Sequence, residues 1–209
     1  MSGHGANATV DGEIPHSVTS HPVTGINNGK FGIWLFLASE VMLFGALFSA
    51  YVLLRVGSLH WPTGFDAGLN IKVGAMNTFI LIGSSVTIVM AWASLKLKDF
   101  SAYKKWMLIT IIMSCVFLAV KLAYEWPEKF AHDHYPRTSN FYALYFLITG
   151  LHGLHILGGV VVMGYLLGPG SKLWHTNPEK LTGRIECTGL YWHFVDLVWI
   201  FLFPLFYLL

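Results

Sequence analysis

Gly189-Leu-Tyr-Trp-His-Phe-Val-Asp-Leu-Val-Trp-Ile-Phe-Leu-Phe-Pro-Leu-Phe-Tyr-Leu-Leu209 is long and apolar enough to cross a bilayer, yet it carries His193 and Asp196 well inside it. An Asp or His near the centre of a membrane helix costs roughly 2–3.5 kcal/mol, and is tolerated only where it faces protein, headgroups or water. Residues three apart share a helical face, so His193 and Asp196 point the same way and need receivers on neighbouring helices.

The rest of the chain agrees with a membrane setting. Of its 209 residues 55% are hydrophobic and 11% charged, too apolar a balance for a water-soluble domain. The formal charge of +2 is small and its basic residues are scattered, which argues against nucleic acid. Cys115 and Cys187 form no CxxC, no haem-attachment motif and no disulfide framework, and read as buried free thiols. Residues 1–30 lack the basic start, apolar run and cleavage site of a signal peptide and read as a mature polar tail. His4, His16 and His21 in that tail are unevenly spaced, with no cysteine or carboxylate framework, and read as solvated residues.

Four more apolar segments precede the last, giving spans at 31–54, 73–95, 106–126, 141–167 and 187–209, each near the ~20 residues that cross a bilayer. Short linkers join them, marked by Trp61-Pro62-Thr63-Gly64, by Lys96, Lys98, Lys104 and Lys105, by Pro127 and Pro136, and by Gly168-Pro169-Gly170. The predicted fold is all-α: a polytopic membrane protein with a five-transmembrane-helix bundle over 31–209. Eight basic residues (Lys30, Lys96, Lys98, Lys104, Lys105, Lys172, Lys180, Arg184) fall on the side of the N-terminus and four (Arg55, Lys72, Lys129, Arg137) on the other. The positive-inside rule then puts the N-terminus inside and the C-terminus outside. Lys121 lies near the outer end of the third segment, where it is expected to snorkel with Glu125, four residues on, as its ion-pair candidate.

Glu40, in Leu37-Ala38-Ser39-Glu40-Val41-Met42, reads either as an acid satisfied by a neighbouring helix or as a proton or lipid site. Ala38, Gly45 and Ser49 form a small-residue stripe that predicts a close helix contact. In the fourth segment, Thr149-Gly150-Leu151-His152-Gly153-Leu154-His155 puts His152, His155 and Gly159 on one face. At ~1.5 Å rise per residue, Glu40 and Asp196 both lie ~13 Å from the inner edge, His152 ~14 Å, His155 ~10 Å and His193 ~9 Å. These depths set His152 level with Asp196 and His155 level with His193, and predict an interhelical polar layer built from the two pairs. Three histidines and two acids are also chemically suitable metal ligands, but pairs that satisfy one another explain the pattern without a cofactor. No thiolate cluster, Ser/His/Asp arrangement or phosphate-binding loop offers a rival chemistry. Trp61, Trp106, Trp126, Trp174, Tyr191 and Trp192 read first as interfacial belts.

Ser39-Glu40-Val41, Thr149-Gly150-Leu151-His152-Gly153-Leu154-His155 and Tyr191-Trp192-His193-Phe194-Val195-Asp196-Leu197-Val198-Trp199, with Trp61-Pro62, Asn77-Thr78 and Tyr124-Glu125, resemble subunit III of the haem-copper terminal oxidases. The resemblance runs from about Phe31 onward. It implies a non-catalytic subunit of cytochrome c oxidase, a respiratory complex of aerobic electron transport coupled to proton pumping. Haem and copper are then expected in partner subunits, with no cofactor in this chain. Subunit I is the implied main contact, joined by subunit II, with room for a small subunit IV and a supercomplex. The implied roles are to stabilise subunit I, hold structural phospholipid and support proton uptake, in the bacterial cytoplasmic membrane. The carboxylate that reacts with hydrophobic carbodiimides in this family maps to Glu40. Mitochondrial members have seven helices, and this chain resembles the short five-helix bacterial form.

Three other readings compete. One is subunit III of a bo-type quinol oxidase, and another is the related membrane protein that accompanies nitric oxide reductase. The third is a free-standing proton channel or transporter, for which inverted repeats or broken helices would be expected and neither is evident.

Overall fold

A computed structural model describes residues 28–209, so the tail histidines His4, His16 and His21 lie outside the described residues. Five helices are long and apolar enough to cross a membrane, and no strand occurs among the described residues. They are α1 (Asn28–Val56), α2 (Ile71–Lys96), α3 (Phe100–Ala119) with its continuation α4 (Trp126–Ala131), α5 (Asn140–Leu167) and α7 (Pro178–Phe203). A π-helical turn, Val120–Glu125, joins α3 to α4, and a second, Pro204–Leu208, follows α7. The Gly168-Pro169-Gly170 linker leads through a 3₁₀ turn, Pro169–Lys172, into the short α6 (Leu173–Thr176).

Two helices begin well before their apolar stretches, at Phe100 rather than 106 and at Pro178 rather than 187. Capping decides this. The Asp99 side chain accepts from Ala102 N–H at 2.9 Å, and Asn177 accepts from Lys180 N–H at 3.0 Å with Pro178 at the first helical position. The polar first turns that follow are helical without being apolar. Asn70 and Ser139 cap α2 and α5 in the same way.

α2 and α7 form the centre, α2 packing along α3 and α7, and α5 packing against α7 and α3. Large aromatic side chains fill that centre, among them Trp192, Trp199, Tyr103, Tyr145 and Phe117. Without a hydrophobic drive between helices in lipid, hydrogen bonds and close packing hold them. Trp192 Nε1–H donates to Ser84 Oγ at 3.0 Å and Trp199 Nε1–H to Thr78 Oγ1 at 2.9 Å, both from α7 to α2. Thr87 and Thr110 hydroxyls meet at 2.7 Å between α2 and α3, and Tyr103 OH donates to Leu166 O at 3.1 Å between α3 and α5. Trp192 is thus a core residue rather than part of an interfacial belt. Gly159 makes room for it: a Cβ at that position would lie 2.6 Å from the indole.

α1 is the least covered helix. It meets α5 and α7 through Leu37, Phe44 and Tyr51, seven residues apart and all buried. The predicted contact through Ala38, Gly45 and Ser49 is not made. Ala38 and Ser49 are exposed, and nothing lies within 4 Å of a Cβ built at Gly45. The stripe shares a helix with the Leu37–Phe44–Tyr51 seam but looks away from it, because the larger side chains fill the space between helices. Cys115 is exposed and Cys187 half-buried, so neither thiol sits in the core as the sequence suggested.

Candidate functional site

The submerged ionisable groups divide into three separate contacts. In the first, His155 on α5 reaches α1: its Nε2 lies 3.0 Å from Glu40 Oε2. His155 Nδ1 lies 2.8 Å from the Leu151 carbonyl, which only accepts, so Nδ1 carries a hydrogen. The proton between Nε2 and Glu40 therefore decides whether the pair is neutral or ionic, with the same heavy-atom geometry either way. Tyr191 OH donates to His155 O at 2.8 Å, and the Phe44 ring stands edge-on to the imidazole at 5.3 Å. Glu40 is thus partnered within the chain, and Tyr191 fastens α7 to α5 beside it.

The second contact surrounds Lys121. Instead of snorkelling it is 2% exposed, with Glu125 at 3%. Its Nζ donates to Glu125 Oε2, to Tyr145 OH at 3.0 Å and to Tyr207 OH at 2.7 Å, and lies 5.1 Å from the Trp199 ring centroid. Tyr207 OH donates to Glu125 Oε1 at 2.5 Å. Three hydrogen-bonding ligands and an aromatic face replace the water that snorkelling would have reached. The π-helical turn Val120–Glu125 carries both charged residues, as such bulges do where side chains must be re-aimed. Nothing in the local spacing marked Tyr145 or Tyr207, which arrive from α5 and from the turn after Pro204.

The third contact lies between α2 and α7, where Ser85 Oγ and His193 Nδ1 are 2.5 Å apart. Asp196 is buried and neither of its oxygens has a hydrogen-bond partner among the described residues; the same holds for both nitrogens of His152. His152 instead stacks on Trp199 at 5.2 Å and stands edge-on to Phe117 at 6.0 Å. The predicted pairs His152–Asp196 and His155–His193 therefore do not form. Depth along a helix says nothing of bearing around it. His152 and His155 differ by about 60° around their helix, enough to turn one toward α3 and α7 and the other toward α1.

At the end of the bundle near Leu209, Lys129 Nζ donates to the carbonyls of Ala67, at 3.1 Å, and of Gly68, pinning the 57–70 connection. Gly68 has φ +66°, which suits a residue without a Cβ. Arg55 donates to Leu209 O at 2.9 Å and Tyr51 OH to Leu205 O at 3.0 Å, tying α1 to the turn after α7. In the loop before α5, the His134 ring packs at a tilt against Tyr142, 4.6 Å between centroids, and burial, with Lys129 and His132 adding to it, holds its imidazole below the usual histidine range. Among the described residues no group of three His, Cys, Asp or Glu side chains draws together as a metal site.

Over nearly its whole length the chain matches a known family. The family model described as cytochrome c oxidase subunit III matches residues 8–209. The chain is 36% identical over 178 residues to cytochrome c oxidase subunit 3 of Thermostichus vulcanus, covering 85% of this chain and 86% of that one. It is 32% identical to cytochrome bo(3) ubiquinol oxidase subunit 3 of Pseudomonas putida, covering 85% and 84%. It is also 33% identical to heme-copper oxidase subunit I+III of Aeropyrum pernix, covering 86% of this chain and 22% of that longer protein. A multi-pass bundle of five membrane-length helices, matched over nearly its whole length by one family, is a member of the cytochrome c oxidase subunit III family of haem-copper oxidases.

Proposed function

We propose that this chain is a non-catalytic subunit that fastens and protects a haem-copper oxidase. Oxygen reduction and electron transfer take place in its partners. The observation that carries this reading is the dispersal of the submerged ionisable groups. Glu40 and His155 tie α1 to α5; Lys121 and Glu125 tie α3 to α5 and to the end of the chain; His193 ties α7 to α2. Each contact joins helices, and the three do not converge on one reaction centre.

Subunit I is the main partner in this reading, supported by the Aeropyrum pernix relative in which subunits I and III share one polypeptide. Subunit II, phospholipids and proton uptake near Glu40 complete it. The outer face of α1, with Trp34, Leu35, Met42 and Leu53 exposed, suits acyl chains. The protein resides in the bacterial cytoplasmic membrane with its N-terminus inside. The Pseudomonas putida relative favours a second reading, in which quinol is the complex's electron donor.

Purifying the tagged chain from its native membrane and recording a visible spectrum tests both. Haem A with copper in the co-purified complex supports the cytochrome c oxidase, and haem O or B with bound quinol supports the second reading. A single chain without haem-bearing partners refutes both. In the assembled complex Glu40→Gln is expected to leave the haem spectrum intact. Loss of that spectrum with the complex still assembled refutes an accessory role.

A further inference from the structure

The α2/α7 contact differs from the other two in being unfinished. His193 is exposed in the middle of α7, and its Nε2 has no partner among the described residues. Asp196, three residues on, is buried at 4% exposure and out of reach of a partner on the outer face, so His193 alone offers an open hydrogen-bonding group there. Glu40 and His155, by contrast, satisfy each other, and the outward sides of α1 and α5 present apolar residues such as Met42, Leu154 and Val161. Lipid tails match such sides and offer nothing to His193 Nε2, since hydrocarbon neither donates nor accepts. In a bilayer, a hydrogen bond made to such a group adds to close packing in holding one helix to another.

The neighbouring surface permits a close approach. Gly189, one turn before His193, has nothing within 4 Å of where a Cβ would stand, and Leu197 and Ile200 continue the exposed strip toward the other end of α7. On α2 the half-buried Ser85, already bound to His193 Nδ1, is flanked by exposed Ile82, Val86 and Val89. A shallow apolar surface thus carries one unpartnered imidazole nitrogen at its centre.

We infer that this α2/α7 face is where the chain docks on subunit I, and that a transmembrane helix of subunit I brings a hydrogen-bonding side chain to His193 Nε2. The inference rests on the accessory-subunit reading above and goes beyond it by assigning the face and the chemistry of the contact. α1 and the outer side of α5 are left to lipid.

Photo-cross-linking in native membranes tests the assignment. Benzoylphenylalanine placed at Leu197 should label subunit I severalfold more than the same group at Val161, which should label lipid. Both positions are exposed, so neither replacement disturbs the core. As a second measurement, His193→Leu should lower the fraction of chain retained with subunit I after detergent extraction severalfold, and His193→Gln, which keeps a donor and an acceptor, should restore most of it. Subunit I labelled from Val161 and not from Leu197, or equal retention of wild type and His193→Leu, overturns the face assignment alone. Absence of subunit I from the preparation overturns the accessory-subunit reading itself.

Discussion

Removing Lys121 is the sharpest probe of how this bundle holds together. The ammonium has three N–H bonds and three acceptors: Glu125 Oε2, Tyr145 OH at 3.0 Å and Tyr207 OH at 2.7 Å. Lys121→Met deletes all three, leaving the Glu125 carboxylate with Tyr207 OH at 2.5 Å as its remaining hydrogen bond. Stripping one partner from a buried pair costs about 3–5 kcal/mol, because the other charge stays buried without compensation. Glu125→Gln does the converse and should cost a similar amount. In the double variant no charge remains, the amide carbonyl introduced by Glu125→Gln still accepts from Tyr207, and the residual cost is about 1–3 kcal/mol for the imperfectly paired tyrosines. The singles sum to about 6–10 kcal/mol, so the double-mutant cycle should show at least ~3 kcal/mol of coupling. For a chain of this size 1 kcal/mol moves Tm by roughly 2–4 °C, which puts each single variant about 6–20 °C below the wild type and the double variant above either. Thermal unfolding in detergent at one scan rate reads this directly. Single variants that each cost under about 1 kcal/mol, with additive effects in the double, refute the keystone role and place the pair with ordinary surface ion pairs.

Two further outcomes follow from the packing and from the loop before α5. Gly159→Ala sets a methyl 2.6 Å from the Trp192 ring and is expected to cost about 1–3 kcal/mol in the same melt, whereas Gly158→Ala, whose Cβ would sit 3.7 Å from Tyr191 OH, should be near neutral. A native-like melt for Gly159→Ala would show that the indole shifts freely. His134 has a folded-state pKa below that of the unfolded chain, so the neutral imidazole is the form the packed loop prefers. Its packing is undiminished above the ordinary histidine range and weakens as pH falls through that range toward the lowered folded value. Protection from hydrogen exchange in 132–139, taken relative to the intrinsic rate at each pH, should therefore fall on acidification, and His134→Phe, which keeps a ring against Tyr142, should flatten that dependence.

Much of the candidate site was legible because burial of charge in an apolar run is conspicuous. Glu40, Lys121, Glu125, His152, His155, His193 and Asp196 could all be picked out, since each interrupts a stretch otherwise fit for lipid. Their partners were less legible. Ser85, Tyr145 and Tyr207 are ordinary residues of apolar helices, and only their arrival from other helices gives them a role. The early starts of α3 and α7 were missed for a related reason. Hydropathy follows the membrane, whereas Asp99 and Asn177 start those helices in polar sequence outside the apolar run.

The chain's own order of residues determined five spans and their short connections, because hydropathy and helical hydrogen bonding are local and each backbone bond closes within a few residues. Bearing was decided by the tertiary structure alone. That His155 turns to α1, that Lys121 points inward to two tyrosines and that His193 is left looking outward depend on which bulky side chains fill the spaces between helices. Those spaces are bounded by residues far apart in sequence, so no local pattern encodes them.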